Sequence, residues 1–273
     1  MESLTFLDEH HKTIQLSIFM GVFLVCLNIE YFFGVTEKSL KFKNFRTNLL
    51  FIIPGFIFQT LLGFIFMDVL VFENIHNYGF LHYIGITSVV AQLIISFVFL
   101  DFFYWLYHFL MHKIAIVWRF HAVHHSDKIL NVSTSLREHP METTIRLSHY
   151  MLAVWFLGPF VWIISLHQFV QVVSKIIIHS NWRLPDKIDK YISYLILTPN
   201  MHHVHHHEKQ PYTDSNYGDL FSVWDRLFGT FYYLSKEDVV FGLDVKEFEN
   251  INSQNLRFKN LMKIPFKNHL SNK

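Results

Sequence analysis

Cysteine is nearly absent from this sequence, since Cys26 is the only one in 273 residues. A single cysteine excludes an intrachain disulfide and any metal site built from several thiolates. Charged residues are also scarce, at 16% of the chain, and they nearly cancel to a net charge of +1. That balance argues against a general nucleic-acid-binding protein, which presents a basic surface. A glycine-rich dinucleotide fingerprint is missing too, so the chain carries no evident reductant site of its own.

Hydrophobic side chains, in contrast, make up 51% of the sequence and include 30 phenylalanines. They lie in four runs with at most one charged residue each, 13–34, 47–72, 74–100 and 147–174. A helix of roughly 20 apolar residues spans the hydrocarbon core of a bilayer, and each run reaches that length. Buried helices of a soluble protein are the alternative, but four such runs in one chain disfavour it. The sequence therefore predicts an all-α, integral membrane helical bundle.

The distribution of lysine and arginine predicts the topology. The stretch 36–46 holds four basic residues, 73–83 holds none and 113–146 holds five. The positive-inside rule places the first and third of these stretches in the cytoplasm and the N-terminus outside. Because acids rather than bases begin the chain, we expect 13–34 to be a retained span and not a signal peptide.

Histidine is concentrated in one part of the chain, with fourteen of the 19 between His108 and His207. Three clusters in this region have spacings of i, i+3 or i+4, which place side chains on one face of a helix. The clusters are His108 and His112; His121, His124 and His125; and His202, His205 and His206. One zinc or iron ion takes about four to six ligands, so eight histidines indicate two neighbouring metals.

Further side chains are candidates for the same site. The third cluster has a second register, because His203, His206 and His207 repeat its spacing, and periodicity does not choose between the two. His139 and His179 are each a candidate ligand or a partner of a ligand. Carboxylates suited to holding imidazole N–H groups, or simply to capping helices, are Asp101, Glu138, Glu142, Asp214 and Asp225.

The apolar run 147–174 raises a question of topology. If it crossed the membrane once, the third histidine cluster would face the opposite side from the first two. Gly158-Pro159 interrupts the run, and this pair breaks a helix. We therefore interpret 147–178 as a helical hairpin that enters and leaves on the cytoplasmic side, an interpretation that depends on a shared site.

Six segments together resemble the fatty acid hydroxylase / sterol desaturase superfamily of integral-membrane di-iron enzymes. They are HFLMH at His108, HAVHH at His121, REHPME at Arg137, HSNWRLP at His179, TPNMHHVHHH at Thr198 and NYGDLFSVWDRLFGT at Asn216. The fourth and fifth are most similar to bacterial sterol-desaturase-like and alkylglycerol-monooxygenase-like members. In the family pattern two residues separate the Thr-Pro pair from the third box, which implies the register beginning at His202.

The resemblance implies two iron ions, replaceable by zinc during purification, with O₂ as co-substrate and a bilayer lipid hydroxylated or desaturated. The lipid is a sterol, a fatty acyl chain or an ether lipid. Electrons come from a ferredoxin, a cytochrome b5 or a pterin. The predicted ligands are His108, His112, His121, His124, His125, His179, His202, His205 and His206, with no catalytic residue apart from them. Extra ligands or ligand partners are His139, Asp101, Glu138, Asp214, Asp225 and His203.

These expectations divide the chain into N-terminal transmembrane helices (1–83), a catalytic region (84–235) with its metal site on the cytoplasmic face, and a C-terminal tail (236–273). Three other classes of membrane protein are alternatives. A haem cytochrome places histidine pairs within its spans, whereas these clusters lie at span ends and in loops. A metal transporter needs acids along a path through the membrane, for which Asp68 and Glu30 are poor candidates. A non-catalytic membrane metal-binding protein is the third.

Overall fold

The computed structural model of the chain describes residues 2–33, 38–76, 78–244 and 257–266. Across these ranges the chain is mainly helical and forms no β-strand beyond two isolated bridges. The all-α prediction is confirmed. The helices are α1 (Glu2–Phe33), α2 (Lys38–Leu49), α3 (Ile52–His76), α4 (Phe80–Tyr83), α5 (Val89–Lys113), α6 (Ala115–His125), α7 (Pro140–Leu157), α8 (Val161–His179), α9 (Asp186–Ile192), α10 (Pro199–His205), α11 (Val223–Leu227) and α12 (Phe258–Leu261).

Among the described residues, three stretches are long and apolar enough to cross a membrane. They are Asn44–Phe72, Val89–Lys113 and Val161–His179, while the apolar part of α1, Ser17–Phe32, is shorter. Large apolar side chains such as Phe56 point outward along α3 and are exposed. An outward apolar surface at this length is typical of contact with lipid. The protein is therefore an integral membrane helical bundle, as the apolar runs predicted.

One predicted span is displaced. The apolar run 74–100 is not a single helix, because the long helix α5 begins only at Val89. The preceding segment turns at Gly79 and Gly85, whose φ angles of 121° and 72° lie in the region that favours glycine. Ser88 then caps α5, its Oγ accepting a hydrogen bond from the Ala91 amide at 3.4 Å. As a result α5 extends to Lys113 and carries the first histidine cluster.

The run 147–174 is divided at Gly158, which ends α7 in the left-handed conformation. The chain then doubles back. The end of α8 returns to the start of α7, where Glu138 forms ion pairs with both Arg146 of α7 and Lys175 of α8. The turn itself is tightly packed. A Cβ at Gly79 would lie 2.4 Å from the Gly158 Cα, so two glycines meet where the backbones cross.

Two of the four clusters that make up the buried core of the described residues include the helices that carry the first two histidine clusters. Leu100 of α5, Tyr150 of α7 and Leu70 of α3 belong to a cluster between the long helices. At the other end, Trp118 of α6 packs in a second cluster with Phe51, just before α3, and with residues of 257–266. In the described part of the predicted C-terminal tail, Leu243, Leu261 and Ile264 are therefore buried in this cluster.

Candidate metal centre

Four helices deliver the nine predicted ligands to one place. The end of α5 presents His108 and His112, the last two turns of α6 present the second cluster, and α8 ends at His179. The short helix α10 carries the third cluster. Its position is fixed by Thr198, whose Oγ1 accepts a hydrogen bond from the Met201 amide at 3.3 Å, and by Pro199 in the first turn.

The nine histidines form two groups, and all of them are buried. In each group the possible ligand nitrogens lie within 4.8 Å of one another. The first group is His108, His112, His121, His125 and His205, and the second is His124, His179, His202 and His206. The groups are neighbours, since the rings of His125 and His206 stack with centroids 4.5 Å apart. Both α6 and α10 contribute to each group.

In the first group, hydrogen bonds at Nδ1 fix the orientation of two of the imidazole rings. His108 Nδ1 donates to the Tyr217 carbonyl at 2.8 Å, and His121 Nδ1 donates to Glu142 Oε1 at 2.6 Å. The Tyr217 carbonyl carries no proton, so the His108 ring is protonated at Nδ1 and bears a lone pair at Nε2. Burial raises the pKa of the Glu142 carboxyl well above its usual value. The Nε2 atoms of His108 and His121 lie 3.0 Å apart.

The second group repeats this arrangement. His124 Nδ1 donates to the Arg137 carbonyl at 3.1 Å, and His179 Nδ1 donates to the Lys175 carbonyl at 2.7 Å. Their Nε2 atoms then face each other at 3.0 Å, and His202 Nε2 lies 3.0 Å from His179 Nε2. A carbonyl or carboxylate behind the ring is the usual partner of a metal-bound histidine.

Two lone pairs at hydrogen-bond distance repel each other unless a cation lies between them. Protonation of the rings does not supply that cation. Burial, with repulsion from neighbouring imidazoles, holds the pKa of His121, His124, His125, His202 and His206 well below its usual value. Neutral imidazoles that converge through Nε2 fit a divalent transition metal such as iron or zinc. The residues present therefore fit two metal ions.

Two of the carboxylates named from the sequence contact ligand histidines directly. Glu142 holds His121, and Asp214 Oδ1 lies 3.3 Å from His112 Nδ1 while its Oδ2 accepts from Lys113 at 2.9 Å. Lys113 is the last residue of α5, so Asp214 also fastens the end of that helix. Both contacts orient an imidazole, which is the role expected of such carboxylates.

Three other carboxylates bind neighbouring helices and loops, and none of their hydrogen bonds or ion pairs involves one of the nine histidines. Asp225 accepts hydrogen bonds from the amides of Tyr217 and Gly218 at 2.8 and 3.0 Å, so it positions the carbonyl that holds His108. Asp101 accepts from Gln171 and Trp224, joining α5 to α8 and α11. Glu138 binds Arg146 and Lys175. In the structure these contacts position helices and loops around the two groups.

Two of the additional candidate histidines, His139 and His203, lie outside both groups. His139 caps α7, accepting a hydrogen bond at Nδ1 from the Met141 amide at 3.2 Å. Both nitrogens of His203 are used, because Nδ1 accepts from Arg183 Nε at 3.1 Å and Nε2 lies 3.0 Å from the Ser180 carbonyl. The register that begins at His202 is the one the structure brings into the groups.

Sequence reasoning missed the backbone carbonyls that orient four of the rings. Besides those of Arg137, Lys175 and Tyr217, the Ser215 carbonyl accepts from His205 Nδ1 at 2.7 Å. A carbonyl belongs to every residue, so residue type gives no signal for it. The flanking motifs beginning at Arg137 and Asn216 were the only hint.

We expect His203→Ala to be mild. The variant should retain its metal and more than about one-tenth of the wild-type activity, because it removes the hydrogen bonds to Arg183 and Ser180, each worth about 0.5–1.5 kcal/mol, and no predicted ligand. His202→Ala, one residue earlier, is the matched comparison, and it should lose the metal of the second group together with its activity. Metal analysis and product formation measured side by side would refute this register if the two variants were equally damaged.

Comparison with known proteins supports the site. The fatty acid hydroxylase family model matches residues 93–230. Human alkylglycerol monooxygenase is 31% identical over 163 residues, covering 58% of this chain and 35% of that protein. The ornithine lipid hydroxylase of Rhizobium tropici is 29% identical over 145 residues, covering 52% and 42%. Human lathosterol oxidase is 27% identical over 239 residues, covering 82% and 77%.

The chain spans about a third of the length of the alkylglycerol monooxygenases that it matches. No solved structure matches it. The family match covers half of the chain and includes every histidine of the two groups. The chain therefore belongs to the fatty acid hydroxylase family.

Proposed function

We propose that this protein uses O₂ to hydroxylate or desaturate a C–H bond of a membrane lipid at a pair of iron ions. The observation that carries the proposal is the pair of buried imidazole groups, in which the Nε2 atoms of His108 and His121, and those of His124 and His179, lie 3.0 Å apart. The names of the relatives, a monooxygenase, a hydroxylase and an oxidase of lipids, support the substrate class. Family membership argues against a transporter.

Each histidine group would hold one iron, and the irons when bound supply the redox chemistry with O₂ that an amino-acid side chain lacks. The chain's own residues prepare the site. Glu142, Asp214 and four carbonyls fix the direction of the rings. Burial of all nine histidines excludes bulk water, which would otherwise compete for the ligand positions.

The location of the site supports entry of lipid from the bilayer. His108 and His112 are on the final turns of α5, at the end of a helix long enough to span the membrane. Basic residues in 113–146 favour a cytoplasmic location for this end by the positive-inside rule. From that side a ferredoxin, a cytochrome b5 or a pterin would supply electrons. The region 84–235 would then be the catalytic unit and 147–178 a hairpin that enters and leaves on that side.

Lipid mass spectrometry of cells that express the wild type or His124→Ala tests the function. Membranes prepared from these cells are incubated with O₂ and, in separate reactions, with a ferredoxin, a cytochrome b5 or a tetrahydropterin reducing system. We expect a lipid that gains one oxygen atom or loses two hydrogens with the wild type alone. If wild-type protein with both metals bound gives no such lipid under any of the three systems, the proposal is wrong.

A further inference from the structure

A contiguous patch of exposed apolar side chains lies outside the three stretches that are long enough to cross a membrane. It consists of the exposed apolar side chains of residues 188–196 and 223–228, which together form the apolar rim. Tyr191, Leu195 and Leu227 are each more than half exposed. Large apolar patches on a protein surface mark contact with another protein or with lipid.

The two segments of the apolar rim are bound to each other. The Leu195 carbonyl accepts a hydrogen bond from the Ser222 amide at 3.0 Å. Arg226 of α11 donates to the Ser193 carbonyl at 3.1 Å, and its guanidinium lies 4.5 Å from the centre of the Tyr194 ring. The rim is therefore one surface, and the charge of Arg226 is directed towards a carbonyl and an aromatic ring.

The backbone of the first segment makes its hydrogen bonds within the protein. Every amide from Ser193 to Leu197 donates to a backbone carbonyl, at distances from 2.8 to 3.4 Å. A loop in water does not need such partners, because water supplies them, whereas hydrocarbon supplies none. The segment therefore meets the condition that a lipid environment imposes on a polypeptide backbone.

Contacts with α5 give the depth of the rim. The ring of Phe228 packs against Trp105 and Phe102 of α5, with centroids 4.6 and 5.9 Å apart. A hydrocarbon core about 30 Å thick that starts at Val89, the first residue of α5, extends over roughly 20 residues of the helix, to about residue 109. Phe102 then lies roughly 10 Å inside the core, in the half that is nearer to the metal centre.

The rim also continues a surface that faces lipid. Val98 lies one turn before Phe102 on the same face of α5, within the candidate span, and is exposed. Leu227 and Phe228 are exposed beside Phe102. The lipid-facing surface of α5 therefore extends sideways onto α11 and, through it, onto residues 188–196.

The charged residues of α9 fit the edge of such a surface. Lys187 and Lys190 are exposed, and Asp186 is the only exposed acid of this helix. Lysine side chains beside an inserted segment reach the headgroup phosphates while their methylenes stay among apolar chains.

We propose that the apolar rim is inserted among the acyl chains of the bilayer leaflet on the side of the metal centre, with Lys187 and Lys190 at the phosphates. The partner of this surface is the phospholipid bilayer and not a second protein. Leu197 leads directly into Thr198, the cap of α10. The inserted rim therefore fixes the depth at which the third histidine cluster lies.

Spin labels test the insertion in the full-length chain, loaded with zinc and placed in phospholipid nanodiscs. Cys26→Ala removes the only native thiol, and Leu195→Cys and Leu227→Cys then each carry one nitroxide. Val98→Cys is the lipid-facing reference. Lys209→Cys is the water-facing reference, since Lys209 is an exposed charged residue just after the third cluster.

The measurement compares collisions of each nitroxide with O₂, which concentrates in lipid, and with a neutral, water-soluble nickel complex. We expect the labels at positions 195 and 227 to match the label at position 98. Their collisions with nickel should be at least about tenfold fewer than at position 209. Transfer of even one unpaired polar group into hydrocarbon costs about 2 kcal/mol or more, which exceeds a factor of ten.

Nickel collisions at positions 195 and 227 as frequent as at position 209 would overturn the inference, because the rim would then be in water. Loss of collisions with both reagents would overturn it as well, because protein would then cover the rim, and spin–spin broadening would identify a second copy of the chain. The two rim positions belong to different segments, so a label that disturbs one segment leaves an independent measurement at the other.

Discussion

We expect His205→Ala and His206→Ala each to lose one metal ion, and to lose a different one. The two residues are adjacent in sequence, but His205 belongs to the first group and His206 to the second. Changing a residue that merely orients a ligand costs about 10–100-fold in affinity or activity, so loss of a ligand costs more than about 100-fold. Metal content should fall from about two ions per chain to about one in either variant, with loss of product in both.

His207→Ala is the control for these variants. His207 is next in the sequence but lies outside both groups, because Nδ1 accepts from the Lys209 amide at 2.9 Å and Nε2 lies 3.2 Å from the Asp238 carbonyl. It should keep both metals and its activity. Metal analysis of purified proteins would contradict the assignment if His205→Ala retained both ions, or if His207→Ala behaved like either ligand variant.

The largest expected loss of stability is for Arg137→Met. Arg137 is completely buried, donates to Asn48 Oδ1 at 2.6 Å and to Asn44 Oδ1 at 2.5 Å, and forms an ion pair with Asp127 at 3.4 Å. Methionine leaves the buried Asp127 charge unpaired, for which the cost is about 3–5 kcal/mol. The His124 ring should also lose its alignment, because the Arg137 carbonyl accepts from it.

Denaturant unfolding in detergent, with a chelator present, separates this effect from loss of metal. Arg46→Met is the matched control, because Arg46 is exposed on the same helix as Asn44 and Asn48. Adding Asp127→Asn to Arg137→Met should recover part of the stability, since the unpaired charge is then gone. Equal unfolding of the Arg137 and Arg46 variants would disprove the account.

Spacing predicted eight of the nine histidines and left a second register open for the third cluster, while the family resemblance added His179 and the register that begins at His202. Neither could sort the nine into two groups. On α6, His121 and His125 are about 40° apart around the helix, while His124 lies about 60° to the other side of His121. This angular difference assigns the α6 histidines to different groups only because His179 and α10 pack against one side of α6. Packing between distant segments determines which side that is. The sequence had no means of giving that direction.

The spans show the same limit. Hydrophobic composition located the apolar regions. It predicted that the third span starts at residue 74, whereas the long helix begins at Val89. Composition does not record that Gly79 and Gly85 take positive φ angles, which break the helix within an apolar run. In 147–174, by contrast, the Gly-Pro pair indicated the break seen at Gly158.

The sharing of α6 and α10 between the two groups has a consequence for metal exchange. Because each helix presents histidines to both groups, the distance between the two groups is set by the geometry of the helix backbone. An ion leaving one position removes none of the backbone that defines the other. The half-empty centre should therefore stay folded and take up its missing ion at the rate of ion arrival, not at the rate of refolding.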